Sequence, residues 1–404
     1  PEVKLNGTGS SDIVTTGNDG IGVYADNTKV TFETDYGVEV KDRGTGIFVE
    51  GNNPSLNDSK NFELKYSGAP TASAVAFFMN NKSTLPTSSM TNKMNITLND
   101  TVNNTEGLVG ILAKGTAGDI NNQGNITGNA GYGIISEGVE VRNSGNITLP
   151  NPLDAASKKA SVGIYVKNGN KITNNGDITI GKYSVGIYGH QVENSGNINV
   201  GDAGTGIFST AGNVDLTAGT INVGKNEAVG IYSAGNSQVI TNNATAMNID
   251  EGSFGFANVG TGNTINSNVA NVNLKDNSIY IYSKNAGTVN NVTNLTATGT
   301  VGNNYGIYSA GQVTNTGNMN FTSGKGNVGI YSIDGGRAVN TATISVGASD
   351  TANSVYSIGM AAGFNGDGIP SKAYTGNIVN EGTINVTGKD SIGMYGVGSA
   401  TTVY

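Results

Sequence analysis

A β-branched residue, glycine, isoleucine and an aromatic follow one another repeatedly along this chain. The element reads Val162-Gly163-Ile164-Tyr165, Val185-Gly186-Ile187-Tyr188, Val229-Gly230-Ile231-Tyr232 and Val328-Gly329-Ile330-Tyr331. Variants are Thr205-Gly206-Ile207-Phe208, Tyr305-Gly306-Ile307-Tyr308 and Gly46-Ile47-Phe48, with weaker copies at Gly110, Gly133, Gly255 and Gly393. A second element follows each time within a dozen residues or so, as in Asn143-Ser144-Gly145-Asn146-Ile147 and Asn194-Ser195-Gly196-Asn197-Ile198. Successive steps from Gly163 through Gly186, Gly206 and Gly230 to Gly255 are 23, 20, 24 and 25 residues. A period of this size, built from short alternating segments and Asn/Gly turns, is that of a solenoid coil. No helical periodicity competes, and leucine is too scarce for a leucine-rich repeat.

The pattern predicts an all-β fold, a right-handed parallel β-helix (solenoid) of about 15 coils with loop insertions. Stacked at about 4.8 Å, such a rod would be on the order of 70 Å long. Val and Ile at alternate positions point inward in columns, Asn at equivalent turns forms amide ladders, and Gly serves the corners. Ile164, Ile187, Ile207, Ile231, Ile307 and Ile330 should share one buried column, and Ile147, Ile178 and Ile198 another. Period two then puts Val185 and Ile187 inside, with Gly186 and Tyr188 outside. Tyr165, Tyr188, Phe208, Tyr232, Tyr308 and Tyr331 would line up as an outer stripe.

Composition excludes several classes of function. The 404 residues include 61 Gly and 58 Asn, one His, no Cys and no Trp. Zero Cys removes disulfide scaffolds, thiolate metal sites and thiol nucleophiles. A net charge of −8 with only 13% charged residues argues against binding nucleic acid, which needs a basic face. No run of 18 apolar residues exists that could form a membrane-spanning helix.

The chain reads as a single β-helix over 1–404 with four interruptions, at about 51–72, 79–105, 149–161 and 361–377. These stretches hold six of the seven prolines: Pro54, Pro70, Pro86, Pro150, Pro152 and Pro370. Proline cannot donate to a sheet ladder, so these segments read as side loops leaving the rod. Val75-Ala76-Phe77 marks a degenerate coil, and 152–160 is the one stretch resembling a short helix. The first residue is Pro1, without a leader, and Tyr404 falls one strand into a coil; the expectation is a piece of a longer rod.

The Gly-Ile-Tyr element followed by Asn-x-Gly-x-Ile every two dozen residues resembles the passenger region of large fusobacterial type V autotransporters, the RadD-like outer-membrane adhesins. The resemblance covers almost the whole chain. It implies a secreted passenger, exposed at the cell surface of a Gram-negative bacterium and anchored to the outer membrane by a C-terminal barrel outside this sequence. It also implies adhesion to host cells or other bacteria, a part in virulence and coaggregation, and a surface protein or glycan as partner. It carries no site residues over.

Parallel β-helices also include polysaccharide-active enzymes. Those resembling polygalacturonases use paired Asp with Gly-His-Gly and Arg-x-Lys; here the lone His lies in Gly189-His190-Gln191. Arg43, Arg142 and Arg337 are far apart. No catalytic residue, metal ligand or cofactor is therefore expected, and His190 reads as a turn residue. Asn18-Asp19-Gly20 and Asn365-Gly366-Asp367-Gly368 resemble halves of a calcium loop and read as turns.

Two functions remain: an adhesin that acts as a monomer through protein or glycan binding, and a passive stalk presenting a tip domain. For the first, recognition needs large anchors in a non-repeating setting, which points to the loops beside the aromatic stripe. The candidate ligand-binding residues are Phe77, Phe78, Leu153, Lys158, Lys159, Tyr165 and Tyr188.

Overall fold

The computed structural model of the chain describes residues 1–363, 375–398 and 400–404. It is 54% strand and 1% helix, the helix being a single 3-10 turn at Thr351–Asn353. No described helix is long and apolar enough to cross a membrane. The chain forms two compact units, Pro1–Gly204 and Thr205–Tyr404. Each is a parallel β-helix with three strands per coil.

A coil of the first unit shows why. Val162–Lys167 makes the Gly-Ile-Tyr strand, Ile172–Asn174 the next and Ile178–Ile180 the third. The following coil repeats them as Val185–Gly189, Val192–Asn194 and Ile198–Val200, paired parallel in register: Ile164 with Ile187, Tyr165 with Tyr188, Asn174 with Asn194, Ile178 with Ile198. Each coil thus adds one strand to a Gly-Ile-Tyr sheet, one to an Asn sheet and one to an Ile-Thr sheet. The second unit does the same, for example with Val328–Ser332, Arg337–Asn340 and Thr343–Val346.

The expected core columns form. In the first unit Ile111, Ile134, Ile164 and Ile187 are fully buried behind the Gly-Ile-Tyr sheet, and Ile126, Ile147, Ile178 and Ile198 behind the Ile-Thr sheet. In the second, Ile207, Ile231, Phe256, Ile281, Ile307 and Ile330 fill the equivalent column.

One feature of the repeat differs from expectation. Val185 is half-buried on the outer face and Gly186 is buried, so their sides are reversed, while Ile187 and Tyr188 lie as expected. Alternation is broken because glycine and isoleucine both face inward. The reason for glycine is a close approach of backbones. A Cβ on Gly163 would lie 2.5 Å from the Gly186 carbonyl oxygen and 3.1 Å from Ile178; on Gly306, 2.5 Å from the Gly329 oxygen; on Gly329, 2.5 Å from the Gly359 oxygen. At these three glycines a side chain would require the neighbouring coils to shift locally.

Asparagine columns hold the Asn sheet. In the first unit the buried Asn92, Asn122, Asn143, Asn174 and Asn194 run in line, each amide nitrogen donating to the next amide oxygen at 2.7–2.8 Å. Asn122, Asn143, Asn174 and Asn194 each donate also to the carbonyl two residues on, at 2.7–2.8 Å. In the second unit the ladder runs through Asn291, Asn315, Asn340 and Asn380. Ser267 takes an Asn position between Asn242 and Asn291. The two atoms facing that gap, Asn242 Nδ2 and Asn291 Oδ1, are buried without partners. The space is taken by Tyr280, which stands in the glycine column and turns its ring inward. Its hydroxyl lies 2.6 Å from Ser267 Oγ, and Ser267 Oγ lies 2.6 Å from Thr293 Oγ1.

Two expected side loops are coils. Residues 51–72 contain strands Ser55–Leu56 and Asn61–Tyr66, and 79–105 contain Ser89–Asn92 and Asn95–Asp100, all in register with their neighbours. The motif is hidden because large residues fill the core there: Phe62, Tyr66, Phe77, Met79 and Met90. Pro54 and Pro70 stay compatible with the stack by offering only carbonyls, to Thr91 and Thr105.

The stretch 149–161 does leave the rod. It carries no helix: Asp154 and Lys159 pair antiparallel through both backbone bonds and close a tight turn. The Asp154 carboxylate accepts from the Ala156 N–H at 2.9 Å and the Ser157 hydroxyl at 2.6 Å, which stabilises the turn against a helix. The expected loop at 361–377 falls largely on 364–374, outside the described residues. An excursion not expected from the sequence lies at Asp350–Val355, paired antiparallel like Asp154 and Lys159. Both excursions precede a Gly-Ile-Tyr strand by the same spacing, and Lys158 and Ser354 take the left-handed conformation at equivalent places (φ 58° and 57°).

Candidate ligand-binding face

The outer faces of the three sheets differ in chemistry. On the Ile-Thr sheet the outward residues are Thr127, Thr148, Thr179 and Asn199 in the first unit, and Asn222, Asn248 and Asn273 in the second. On the Asn sheet they include Asn121, Arg142, Thr173 and Glu193. The Gly-Ile-Tyr sheet instead presents two apolar columns. One begins the strands (Tyr132, Val162 and Val185 in the first unit); the other is the aromatic stripe.

Within each unit the rings stack on one another. Phe48 and Phe78 lie 4.4 Å apart and nearly parallel, and Tyr165 and Tyr188 5.2 Å apart. In the second unit Phe208 stacks on Tyr232 at 4.8 Å and Tyr282 on Tyr308 at 5.6 Å. Offset stacking of this kind adds roughly 0.5–1.5 kcal/mol per pair beyond burial. Burial pushes the Tyr132 and Tyr305 hydroxyls up in pKa; burial and then the Asp334 carboxylate do so for Tyr282.

The candidate residues do not form one site. Phe77 is fully buried, tilted against Phe62 at 4.7 Å, because it occupies the isoleucine position of its coil. Leu153 is also buried, lying beside Gly107 and Tyr132, where it plugs the space beneath the first excursion. Phe78 is half-buried on the outer face, with Lys114 Nζ 5.6 Å from its ring centre. Lys158 reaches the Tyr183 ring at 5.5 Å, which Lys182 also approaches at 4.7 Å, and Lys159 pairs with Glu106 at 2.9 Å. Tyr165 and Tyr188 remain half-buried, one against the other.

The second excursion gives a different result. Between it and the outer face of the Gly-Ile-Tyr sheet lies an open cleft of about 500 Å³. Its floor and walls include Tyr305, Val328, Tyr331, Ile358, Ala361, Ile392 and Tyr395, its roof Ser354, Val355 and Tyr356, and Asn303 adds an amide. Two residues there differ from their counterparts in the first unit. Ser349 stands where Leu153 plugs the first excursion, and its hydroxyl turns away to donate to the Asp390 carbonyl at 2.7 Å. Ala361 stands in the aromatic column between Tyr331 and Tyr395, where Tyr165 stands in the first unit. Ala257 is a similar gap, but there the neighbouring column offers Phe254, packed edge-on to Tyr282 at 6.1 Å. Beside Ala361 the neighbour is only Ile358.

Reading loops from proline content missed this cleft, since its excursion has none. The available signal was the 30-residue step from Gly329 to Gly359 and an Asp350 spaced from Ile358 as Asp154 is from Val162.

Elsewhere, His190 is half-buried, with its Nδ1 3.1 Å from where a Cβ on Gly169 would sit. Asp19 is held by the Arg43 guanidinium at 2.6 and 2.9 Å, which keeps its carboxyl below the usual range. The Asn365–Gly368 run lies outside the described residues. Among the described residues no group of three or more His, Asp or Glu could hold a metal ion. Comparison with protein families, with curated proteins and with solved structures gives no match for this chain.

Proposed function

We propose that this chain is part of the passenger of a bacterial surface adhesin, which attaches the cell to host cells or other bacteria through a surface protein or glycan. In this reading the rod acts as a monomer outside a Gram-negative cell, anchored through an outer-membrane barrel beyond this sequence, and no residue has a catalytic role. The observation that supports it is the apolar outer face of the Gly-Ile-Tyr sheet, beside two polar faces. A rod whose only task is spacing has no need of an exposed ring such as Tyr356 (43% exposed).

The passive stalk is the second reading, favoured by the pairing of most rings with one another within each unit. Binding of the purified chain to epithelial cells and to partner bacteria separates the two. Saturable binding that falls when Tyr356 and Tyr395 are replaced by serine supports adhesion; absence of binding to any cell type leaves the stalk.

A further inference from the structure

We infer that Lys158, Lys182 and Tyr183 form an anion clamp that takes the acidic group of a terminal sugar, a carboxylate or a sulfate. The inference rests on the adhesive reading above and names the ligand class of one place on that surface.

The clamp is built where the first excursion meets the corner of the next coil. Lys158 Nζ lies 5.5 Å and Lys182 Nζ 4.7 Å from the centre of the Tyr183 ring, so two ammonium groups converge on one half-buried phenol. The ring attracts both cations and keeps them together in spite of their repulsion. Other lysines of this unit are neutralised, Lys114 by Glu137 at 3.0 Å, Lys159 by Glu106 at 2.9 Å and Lys171 by Glu193 at 2.6 Å. Among the described residues no carboxylate forms an ion pair with Lys158 or Lys182. The acid on the excursion, Asp154, is engaged by Ala156 and Ser157.

Tyr183 is also strained. It takes the left-handed conformation (φ 60°) and donates its N–H at 3.0 Å to the carbonyl of Asp202, just before the left-handed Ala203 (φ 52°) of the following coil. In the second unit the same role falls to Gly252, Asn277 and Asn303, which donate to Asp276, Gly302 and Lys325. Glycine and asparagine are at ease there, whereas the Cβ of a tyrosine crowds the backbone. A bulky residue kept at a strained corner points to a use of its side chain beyond folding. Lys158 is fixed by the turn that Asp154 and Lys159 close, so its backbone loses little freedom on binding.

The chemistry of the corner favours a sugar over a peptide. A peptide carboxylate brings N–H and C=O groups that need partners. The backbone here is already engaged, the Tyr183 N–H by Asp202 and both bonds between Asp154 and Lys159 by the turn. A sugar needs only side chains. Each ammonium has three rotatable donors for the acid and its neighbouring hydroxyls, and the phenol adds a polar tip and an apolar ring. A net charge of −8 opposes a polyanion, so a single acidic sugar fits better than a densely charged polymer.

The test is saturation-transfer NMR on the whole chain with a sialylated and a sulfated lactose as probes, lactose as the neutral control and hexaglutamate as the acidic peptide. The variants are the double Lys158→Gln/Lys182→Gln, Tyr183→Asn, and Lys171→Gln as a control for charge. The parent and Lys171→Gln should bind an acidic sugar at least about tenfold more tightly than lactose, and raising salt from about 50 to about 500 mM should weaken that binding. The double variant should lose about tenfold or more. Tyr183→Asn should also bind more weakly yet melt no lower than the parent, since asparagine is at ease at that corner. Either acidic sugar bound in this way supports the clamp, the tighter one naming the anion. Binding equal to the parent's in the double variant or in Tyr183→Asn would overturn it, as would preference for lactose or for hexaglutamate. Cell binding by a chain that takes no sugar, unchanged in the double variant, would overturn the clamp and leave adhesion standing. Failure to bind either cells or sugars would overturn both.

Discussion

Tyr280 and Ser267 show how tightly single residues are coupled inside a stacked coil. The ring occupies space left by a shortened ladder residue, and two amide atoms lose their partners as a result. Tyr280→Gly alone should open a cavity and cost about 3–5 kcal/mol. Ser267→Asn alone should also destabilise, since the amide and the ring compete for one place. Together they restore the repeat, so urea denaturation of the double variant should recover about 1–3 kcal/mol relative to the sum of the singles. Simple additivity would show that the two positions are independent. A second residue-scale effect is electrostatic. Glu39 accepts from Ser67 at 2.6 Å, pairs with Lys65 at 3.1 Å and accepts from Ser11 at 3.0 Å, and its carboxyl is brought down to about 2, chiefly by Ser67 and then Lys65. A depressed acid stabilises the fold above its unfolded pKa of about 4.5, and that stability is lost as pH falls through 2. With Lys65 partly solvated, Glu39→Gln should cost about 2 kcal/mol at pH 7. The difference from the parent should shrink below pH 4.5 and vanish near pH 2 in denaturation midpoints.

At the scale of the element, the Gly-Ile-Tyr strand shows what the sequence makes legible and what it hides. Inward isoleucine and outward tyrosine follow from period two and are correct at Ile187 and Tyr188. The sides of Val185 and Gly186 do not follow, because the alternation is broken between Gly186 and Ile187, and a bend leaves no mark in a hydrophobic pattern. The glycine is instead demanded by the carbonyl of the next coil. Gly163→Ala should therefore cost on the order of 2–4 kcal/mol, whereas Val162→Thr, on the half-buried outer face, should cost under 1 kcal/mol. Equal losses in thermal unfolding would return glycine to a surface role. The coils at 51–72 and 79–105 were illegible for a related reason: Phe62, Met79 and Met90 fill the core as Ile does elsewhere, in a different alphabet. Proline marked the excursion at 149–161 but not the one over the cleft. Ala361 interrupts the aromatic column between Tyr331 and Tyr395, as Ala257 does between Tyr232 and Tyr282, and neither interruption can be recognised before the register is known.

At the scale of the whole molecule, the repeat determined the fold class, while the two excursions lie where the pattern lapses. Each coil touches mainly the coils before and after it, so stability within a unit is close to a sum of neighbour terms. Replacing Ile187, fully buried, with Ala should cost about 2–5 kcal/mol. Amide hydrogen exchange should then rise in the strands Val162–Lys167, Val185–Gly189 and Ile198–Val200, while Asn95–Asp100 keeps its protection. Uniform loss across the first unit would show that it unfolds as one block. The glycine column carries one more consequence, for the history of the gene. Because glycines such as Gly163, Gly306 and Gly329 answer to the carbonyl of the following coil, a duplication or deletion is silent for the fold only when it spans a whole repeat. A repeat can therefore be gained or lost whole, whereas an insertion inside one must return the chain in register, as the excursions at Asp154–Lys159 and Asp350–Val355 do before the next strand of the Gly-Ile-Tyr sheet.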